Sequence, residues 1–155
     1  MKFSTQEEYG LRILLRIARD ANGKGLTIPE ISTAEGMTIH NTAKLLRILR
    51  IGGFLTSSRG QIGGYTLTKP ANEIYLKDVL DVLGGRLYDT TFCDHHKGVV
   101  DICTHTIDCS IRSLWQTLQE SVDTVLGKIT LKDMLASEDK LVTKISYNKE
   151  EAISL

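Results

Sequence analysis

The chain has no long apolar run, no even set of cysteines, no internal repeat or low-complexity segment, and no net charge. Each absence excludes something. A membrane helix needs roughly 18 consecutive apolar residues, and no stretch comes near that. The most apolar early segment, Leu11 to Ala18, is interrupted by Arg12 and Arg16, so it does not read as a signal peptide. Three cysteines in 155 residues is an odd number, whereas a disulfide framework uses an even one. A cytoplasmic protein with thiol or metal chemistry is the expectation. What is present, 41% hydrophobic and 25% charged residues, is globular composition of a size suited to one domain with an appended element.

The zero net charge conceals a division. Residues 1–69 hold ten Lys/Arg against five Asp/Glu, while residues 70–155 hold nine against fourteen. The N-terminal half is therefore +5 and the C-terminal half −5. A basic half of this kind points to a polyanionic partner.

Local signals order the chain. Ser4-Thr5-Gln6-Glu7 has capping-box spacing and predicts a helix to about Asp20, buried along Tyr9, Ile13, Leu14 and Ile17. Asn22-Gly23 stops it. Thr27-Ile28-Pro29-Glu30 opens a second, short helix ending near Gly36, and a third runs from after Thr38 to Gly52-Gly53. Residues 54–59 read as a strand, Gly60 to Gly64 as a turn, and Tyr65 to Thr68 as the returning strand, closed by Pro70. A helix over Leu76 to Leu83 follows. Residues 86–108 have little periodicity. A long helix then runs from about Cys109 to Leu126, with Ile111, Leu114, Leu118, Val122 and Val125 at three-to-four spacing. Ile129-Thr130-Leu131 starts a last short helix, and the tail from Ser137 is polar and frayed.

Two short helices joined at Gly36-Met37-Thr38 suit a helix-turn-helix with Ile31, Met37 and Leu45 as its core. The third helix sets His40, Lys44 and Arg47 on one face, with Thr38 and Asn41 at its N-terminus, where recognition helices meet base edges. His40 and Asn41 suit bases, and Lys44 and Arg47 suit phosphates. A helical hairpin with a solvated charged face is the alternative. The following hairpin decides between them, because Arg59-Gly60-Gln61-Ile62-Gly63-Gly64 puts a cation at a glycine-rich tip. A phosphate-cradling loop would need a helix right after the glycines, and Tyr65-Thr66-Leu67-Thr68 is strand-like. Thr38, His40, Asn41, Lys44, Arg47, Arg59, Gln61, Gly63 and Gly64 are the candidate DNA-contacting set.

Cys93, Cys103 and Cys109 form a C-x9-C-x5-C pattern just before the long helix. It lacks the C-x2–4-C pairs of a zinc knuckle and matches no ferredoxin spacing. Spacing alone leaves two readings, a soft-metal site or three unrelated thiols.

The chain resembles the Rrf-type winged-helix transcription regulators, which include the iron–sulfur IscR-like and nitric-oxide-sensing NsrR-like members. The resemblance covers roughly residues 1–136 and rests on motifs in family order. These are Glu8-Tyr9-Gly10-Leu11-Arg12, Ile31 through Gly36, Arg59-Gly60 with Gly63-Gly64-Tyr65, Lys69-Pro70-Ala71 and Ile129-Thr130-Leu131. Family members often carry an aromatic-Leu pair where this chain has Asn41-Thr42.

The resemblance implies that Cys93, Cys103 and Cys109 ligate an iron–sulfur cluster, 2Fe–2S or 4Fe–4S. Cluster-binding members place the last cysteine six residues before a Trp, as Cys109 precedes Trp115. The first gap is longer here than in either branch. The IscR-like fourth ligand, a histidine, is replaced by Arg112. The NsrR-like one, a carboxylate reaching from the partner subunit, corresponds to Glu8. His95, His96 and His105 lie in the same loop as substitutes.

The expected fold is thus mainly α with a β-hairpin wing: a winged helix-turn-helix over 1–85, a cysteine loop over 86–109, a dimerisation helix and short terminal helix over 110–136, and a polar tail over 137–155. The expected function is a homodimeric regulator, read as a repressor, that binds a pseudo-palindromic duplex and senses nitric oxide, redox or cluster status. Two alternatives remain: a cluster-free repressor controlled by thiol oxidation, zinc or protein contact, and a cysteine-dependent enzyme using Cys93 or Cys103 with a loop histidine.

Overall fold

A computed structural model describes residues 4–20, 23–58, 63–95, 97, 99, 103 and 108–153. Helix α1 (Thr5–Ala18) begins at the expected capping box. The Ser4 side chain accepts the Gln6 N–H, and the Glu7 carboxylate accepts the Ser4 N–H. It buries Gly10, Ile13, Leu14 and Ile17, while Tyr9 is only partly covered at the edge of the core. Helix α2 (Ile28–Glu35) is capped by Thr27 with Glu30 reaching back, and ends at Gly36 with φ +65°, a left-handed turn that favours glycine. Helix α3 (Ile39–Ile51) is capped by Thr38, which accepts the Asn41 N–H at 3.2 Å.

Strands β1 (Leu55–Ser57) and β2 (Tyr65–Leu67) pair antiparallel, with Leu55 opposite Leu67 and Ser57 opposite Tyr65. They are shorter than expected. At Ser58 the pairing gives way to local bonds: its N–H donates to the Gly64 carbonyl, and its hydroxyl oxygen accepts the Gly64 N–H. Gly64 also passes so close to Gly25 that a Cβ there would lie 2.7 Å from the Gly25 carbonyl carbon. The glycine at this position is what lets the Leu26–Tyr65 bridge tie the wing root to the chain before α2.

Helix α4 (Leu76–Leu83) buries Leu76, Val79, Leu80 and Leu83. The core joins Ile13, Leu14, Ile31, Leu46, Leu49, Leu55, Val79 and Leu83 from the first four helices and the hairpin. Glu35 adds a polar staple. Its nearly buried carboxylate accepts from Arg12 Nε at 3.0 Å and Arg16 Nε at 2.6 Å, fixing α1 to α2.

A short helix α5 (Phe92–His95) interrupts the stretch expected to be irregular. Helix α6 (Ser110–Leu126) matches the expected long helix, with Cys109 as its N-cap. The chain then returns to the core. Leu131 on α7 (Leu131–Met134) is fully buried, and its N–H donates to the Ile74 carbonyl at 2.8 Å.

One expectation is corrected. The short helix at Leu131 is not the last, and the tail is not frayed, because α8 (Glu138–Ile153) follows. It packs on α6 and α7, Leu141 and Ile145 are partly buried, and Lys144 bonds Asp133 at 2.6 Å. Tertiary contacts of this kind stabilise a helix whose polar sequence announces little. Among the described residues, no helix is long and apolar enough to cross a membrane.

Candidate functional site

The order of elements places α3 behind a tight turn and ahead of a hairpin. The turn is fixed from inside. Ile31 and Leu45 are buried, Met37 is half-buried on the core, and the Ser32 hydroxyl donates to the Met37 carbonyl at 2.6 Å. On α3, Leu45, Leu46 and Leu49 face inward, so Thr38, His40, Asn41, Lys44 and Arg47 are all exposed. This is one cationic, hydrogen-bonding surface on an otherwise apolar helix.

Three details refine it. Thr38 is committed to capping, so its hydroxyl serves α3 itself. Asn41 and Lys44 border a shallow hollow of about 330 Å³ shared with Ser4, Thr5, Gln6 and Tyr9, which sets the start of α1 beside the recognition helix. Thr42 is fully buried, and its hydroxyl donates to the Thr38 carbonyl at 2.9 Å. A threonine thus fills an apolar slot without leaving a polar group unpaired. In the wing, Gly63 is half-buried and Gly64 buried at its root. Arg59 and Gln61 lie outside the described residues.

The second assembly lies at the other end of the chain. Cys93 on α5, Cys103, and Cys109 at the start of α6 are free thiols lining one cavity of about 690 Å³. The Cys109 Sγ accepts the Arg112 N–H at 3.3 Å, as an N-capping side chain does. The walls are aromatic and cationic: Tyr88, Phe92 and Trp115, with Arg86 and Arg112. The Tyr88 and Phe92 rings pack in a tilted pair, 5.5 Å between centroids and 40° between planes. His95 also lines the cavity, its Nδ1 at 3.4 Å from the Thr91 hydroxyl. Two carboxylates beside it are held below the usual range, Asp89 by the Thr91 hydroxyl and Asp94 by Lys97.

Sequence spacing identified the three cysteines but not this lining. Tyr88 and Phe92, four residues apart, were the available signal. Glu8 sits exposed in the first turn of α1 and is not among the cavity's lining residues. His96 and His105 lie outside the described residues. Among the described residues, no three His, Cys, Asp or Glu side chains are grouped closely enough to hold a metal ion. The thiol donors therefore share a cavity without forming a closed site within one chain.

The Rrf2 family, described as iron-dependent transcriptional regulators, matches residues 3–137. Protein rrf2 of Nitratidesulfovibrio vulgaris is 30% identical over 135 residues, 87% of each chain. The HTH-type transcriptional regulator IscR of Serratia proteamaculans is 27% identical over 97% of this chain and 88% of its own. Among solved structures, CymR, the global cysteine regulator of B. subtilis, superposes with a TM-score of 0.66. It is 28% identical, over 87% of this chain and 96% of its own. T. potens IscR gives 0.67 at 26% identity, over 87% and 86%.

IscR and CymR are regulators rather than enzymes, which sets aside the nucleophile-and-base reading of the loop. The helix-turn-helix, the hairpin behind it and the match over residues 3–137 together place this chain in the Rrf2 family of winged-helix, DNA-binding transcription regulators.

Proposed function

We propose that the protein is a homodimeric repressor whose cysteine cavity holds an iron–sulfur cluster and reports redox, nitric oxide or cluster supply to the winged helix. The observation that carries this reading is that Cys93, Cys103 and Cys109 all line one cavity at the start of α6. Three soft thiolate donors suit such a cluster, and the aromatic walls limit water around them. When bound, the cluster supplies electron transfer and ligand exchange with small reactive species.

The chain's own residues do the rest. Cys109 anchors one ligand to the first turn of α6, where N–H groups favour a thiolate. Glu8 lies outside the cavity of its own chain, so as a ligand it would come from the partner subunit. Ile111, Leu114, Leu118, Val122 and Val125 along α6, the first three exposed and the valines partly buried, supply the apolar seam for that partner. His40, Asn41, Lys44 and Arg47 on α3, with Arg59, Gln61, Gly63 and Gly64 on the wing, read the two halves of a pseudo-palindromic duplex.

Protein purified without oxygen should carry iron and acid-labile sulfide with visible absorbance, and Cys109→Ala should lose them. A full chromophore in Cys109→Ala would overturn this ligand set. Duplex binding should weaken as salt rises, and Lys44→Ala should lower the slope of log affinity against log salt by about 1.

A second reading, a cluster-free repressor controlled by its thiols, is favoured by the absence of a closed metal-binding group among the described residues. Likeness to the cysteine regulator CymR also favours it, including the S. aureus CymR oxidized form at a TM-score of 0.63 and 26% identity. Anaerobic protein without iron or sulfide, but with duplex affinity altered by oxidation, would select it.

A further inference from the structure

Helix α6 is inverted in its burial. Three of its apolar residues, Ile111, Leu114 and Leu118, are exposed, Trp115, Val122, Val125 and Leu126 are only partly buried, and the one residue it buries fully among those described is Gln119, at 4% exposure. A buried amide is retained only where its bonds are made. The Gln119 Oε1 accepts two consecutive backbone N–H groups, from Leu87 at 2.5 Å and Tyr88 at 3.3 Å. Its Nε2 donates to Asp123 Oδ1 at 2.7 Å.

The other Asp123 oxygen accepts from Arg86 Nη2 at 3.3 Å and faces Lys77 Nζ at 3.9 Å. Arg86 Nη1 then donates to Asp81 on α4 at 2.5 Å. Arg86, Leu87 and Tyr88 are walls of the cysteine cavity. Lys77 and Asp81 belong to the helix whose Val79 and Leu83 are locked into the same core as α3.

We infer that Gln119 is a coupling residue: with Asp123 and Arg86 it forms a polar clasp that ties the wall of the cysteine cavity to helix α4 of the DNA-reading unit. This inference rests on the reading of that cavity as the sensor. An apolar contact tolerates sliding, whereas a shared amide oxygen holds two N–H groups at fixed distance and direction. A change in the cavity that moves residues 86–88 must therefore move α6 and α4 with them or break the clasp. Clasp closed and clasp broken are the two arrangements through which this inference couples the cavity to α4.

Coupling is reciprocal, so bound DNA should alter the cavity. The test uses full-length, metal-free, reduced protein and a duplex selected from a random pool by the wild type. The thiol probe 5,5′-dithiobis(2-nitrobenzoate) reads how often the cavity opens. Bound duplex should change the wild-type labelling rate by about fivefold or more. Gln119→Met should abolish that change while keeping duplex affinity within about twofold, since it touches no DNA-contacting residue. Arg86→Gln, a partly exposed change that spares the buried amide, should do the same, and so should Gln119→Glu, which sets a carboxylate oxygen against Asp123 in place of the Nε2 donor.

A wild type without a DNA-dependent rate, or Gln119→Met and Arg86→Gln variants that keep it, would overturn the inference. Either result would leave iron content and duplex affinity as they were. Lack of iron in anaerobic protein would overturn the cluster reading alone, because the labelling is read without metal.

Discussion

The DNA-reading unit and helix α6 use opposite chemistry to hold themselves in place. Every buried hydrophobic residue among those described comes from the span Ile13 to Leu83 or from Ile129 and Leu131. Helix α6 contributes no fully buried hydrophobic residue; Gln119 and Asp123 hold it by hydrogen bonds, beside partly buried Trp115, Val122, Val125 and Leu126. The reader is a close-packed body whose shape is set by dispersion and water exclusion. Helix α6 is joined to it by directional bonds and by partly buried Val122, Val125 and Leu126, and presents Ile111, Leu114 and Leu118 outward. A rigid reader on an exchangeable mount suits a regulator, because the mount can be altered without unfolding the part that recognises DNA.

The comparison can be broken at several points. The largest effect belongs to the reader's core: Leu46→Ala should lower unfolding free energy by about 2–5 kcal/mol, read by denaturant titration. On α6, Leu114→Asp should instead spare the fold of each chain and weaken self-association by about tenfold or more, because a carboxylate must be desolvated in the seam. Sedimentation equilibrium measures it, and a dimer of undiminished affinity would remove α6 from the interface. Thr27→Ala, which removes the α2 capping box, should cost about 1 kcal/mol in the same denaturant titration.

The smallest effect belongs to the last two helices. Burial alone would raise the Asp133 carboxyl, but Lys144 and Thr130 together hold it below its ordinary 3.8. A depressed folded value makes the bond fully stabilising above the unfolded pKa and lost as pH falls through the folded one. The attachment of α8 should therefore weaken only below about pH 4, seen as earlier loss of protection in hydrogen exchange there than in α3. Lys144→Met should remove that pH dependence.

Much of the reader was legible from local signals. The capping boxes at Ser4 and Thr27, the turn at Gly36 and the helix over Leu76–Leu83 all stand where residue order puts them. Each depends on groups a few residues apart, so short-range chemistry suffices. The attachment of α6 was not legible, because Gln119 meets residues more than thirty positions away and polar residues at a helical position ordinarily signal solvent. Thr42 misleads in the same way: a hydroxyl in a helix reads as surface, yet it is buried with its bond returned to Thr38. The aromatic lining of the cavity was hidden likewise, since Tyr88, Phe92 and Trp115 meet only when the loop folds back on α6.

The sequence by itself determined the helices, their caps, the hairpin and the division of charge into a basic reader and an acidic remainder, since all of these follow from propensity and spacing. It also determined the identity of the thiols. Tertiary structure alone decided that the three cysteines share a cavity, that Glu8 stands outside it, that α8 is a packed helix, and that a glutamine rather than a leucine is what α6 buries. Those outcomes depend on which distant groups satisfy one another's hydrogen bonds and exclude one another's water, and one-dimensional order does not carry that information.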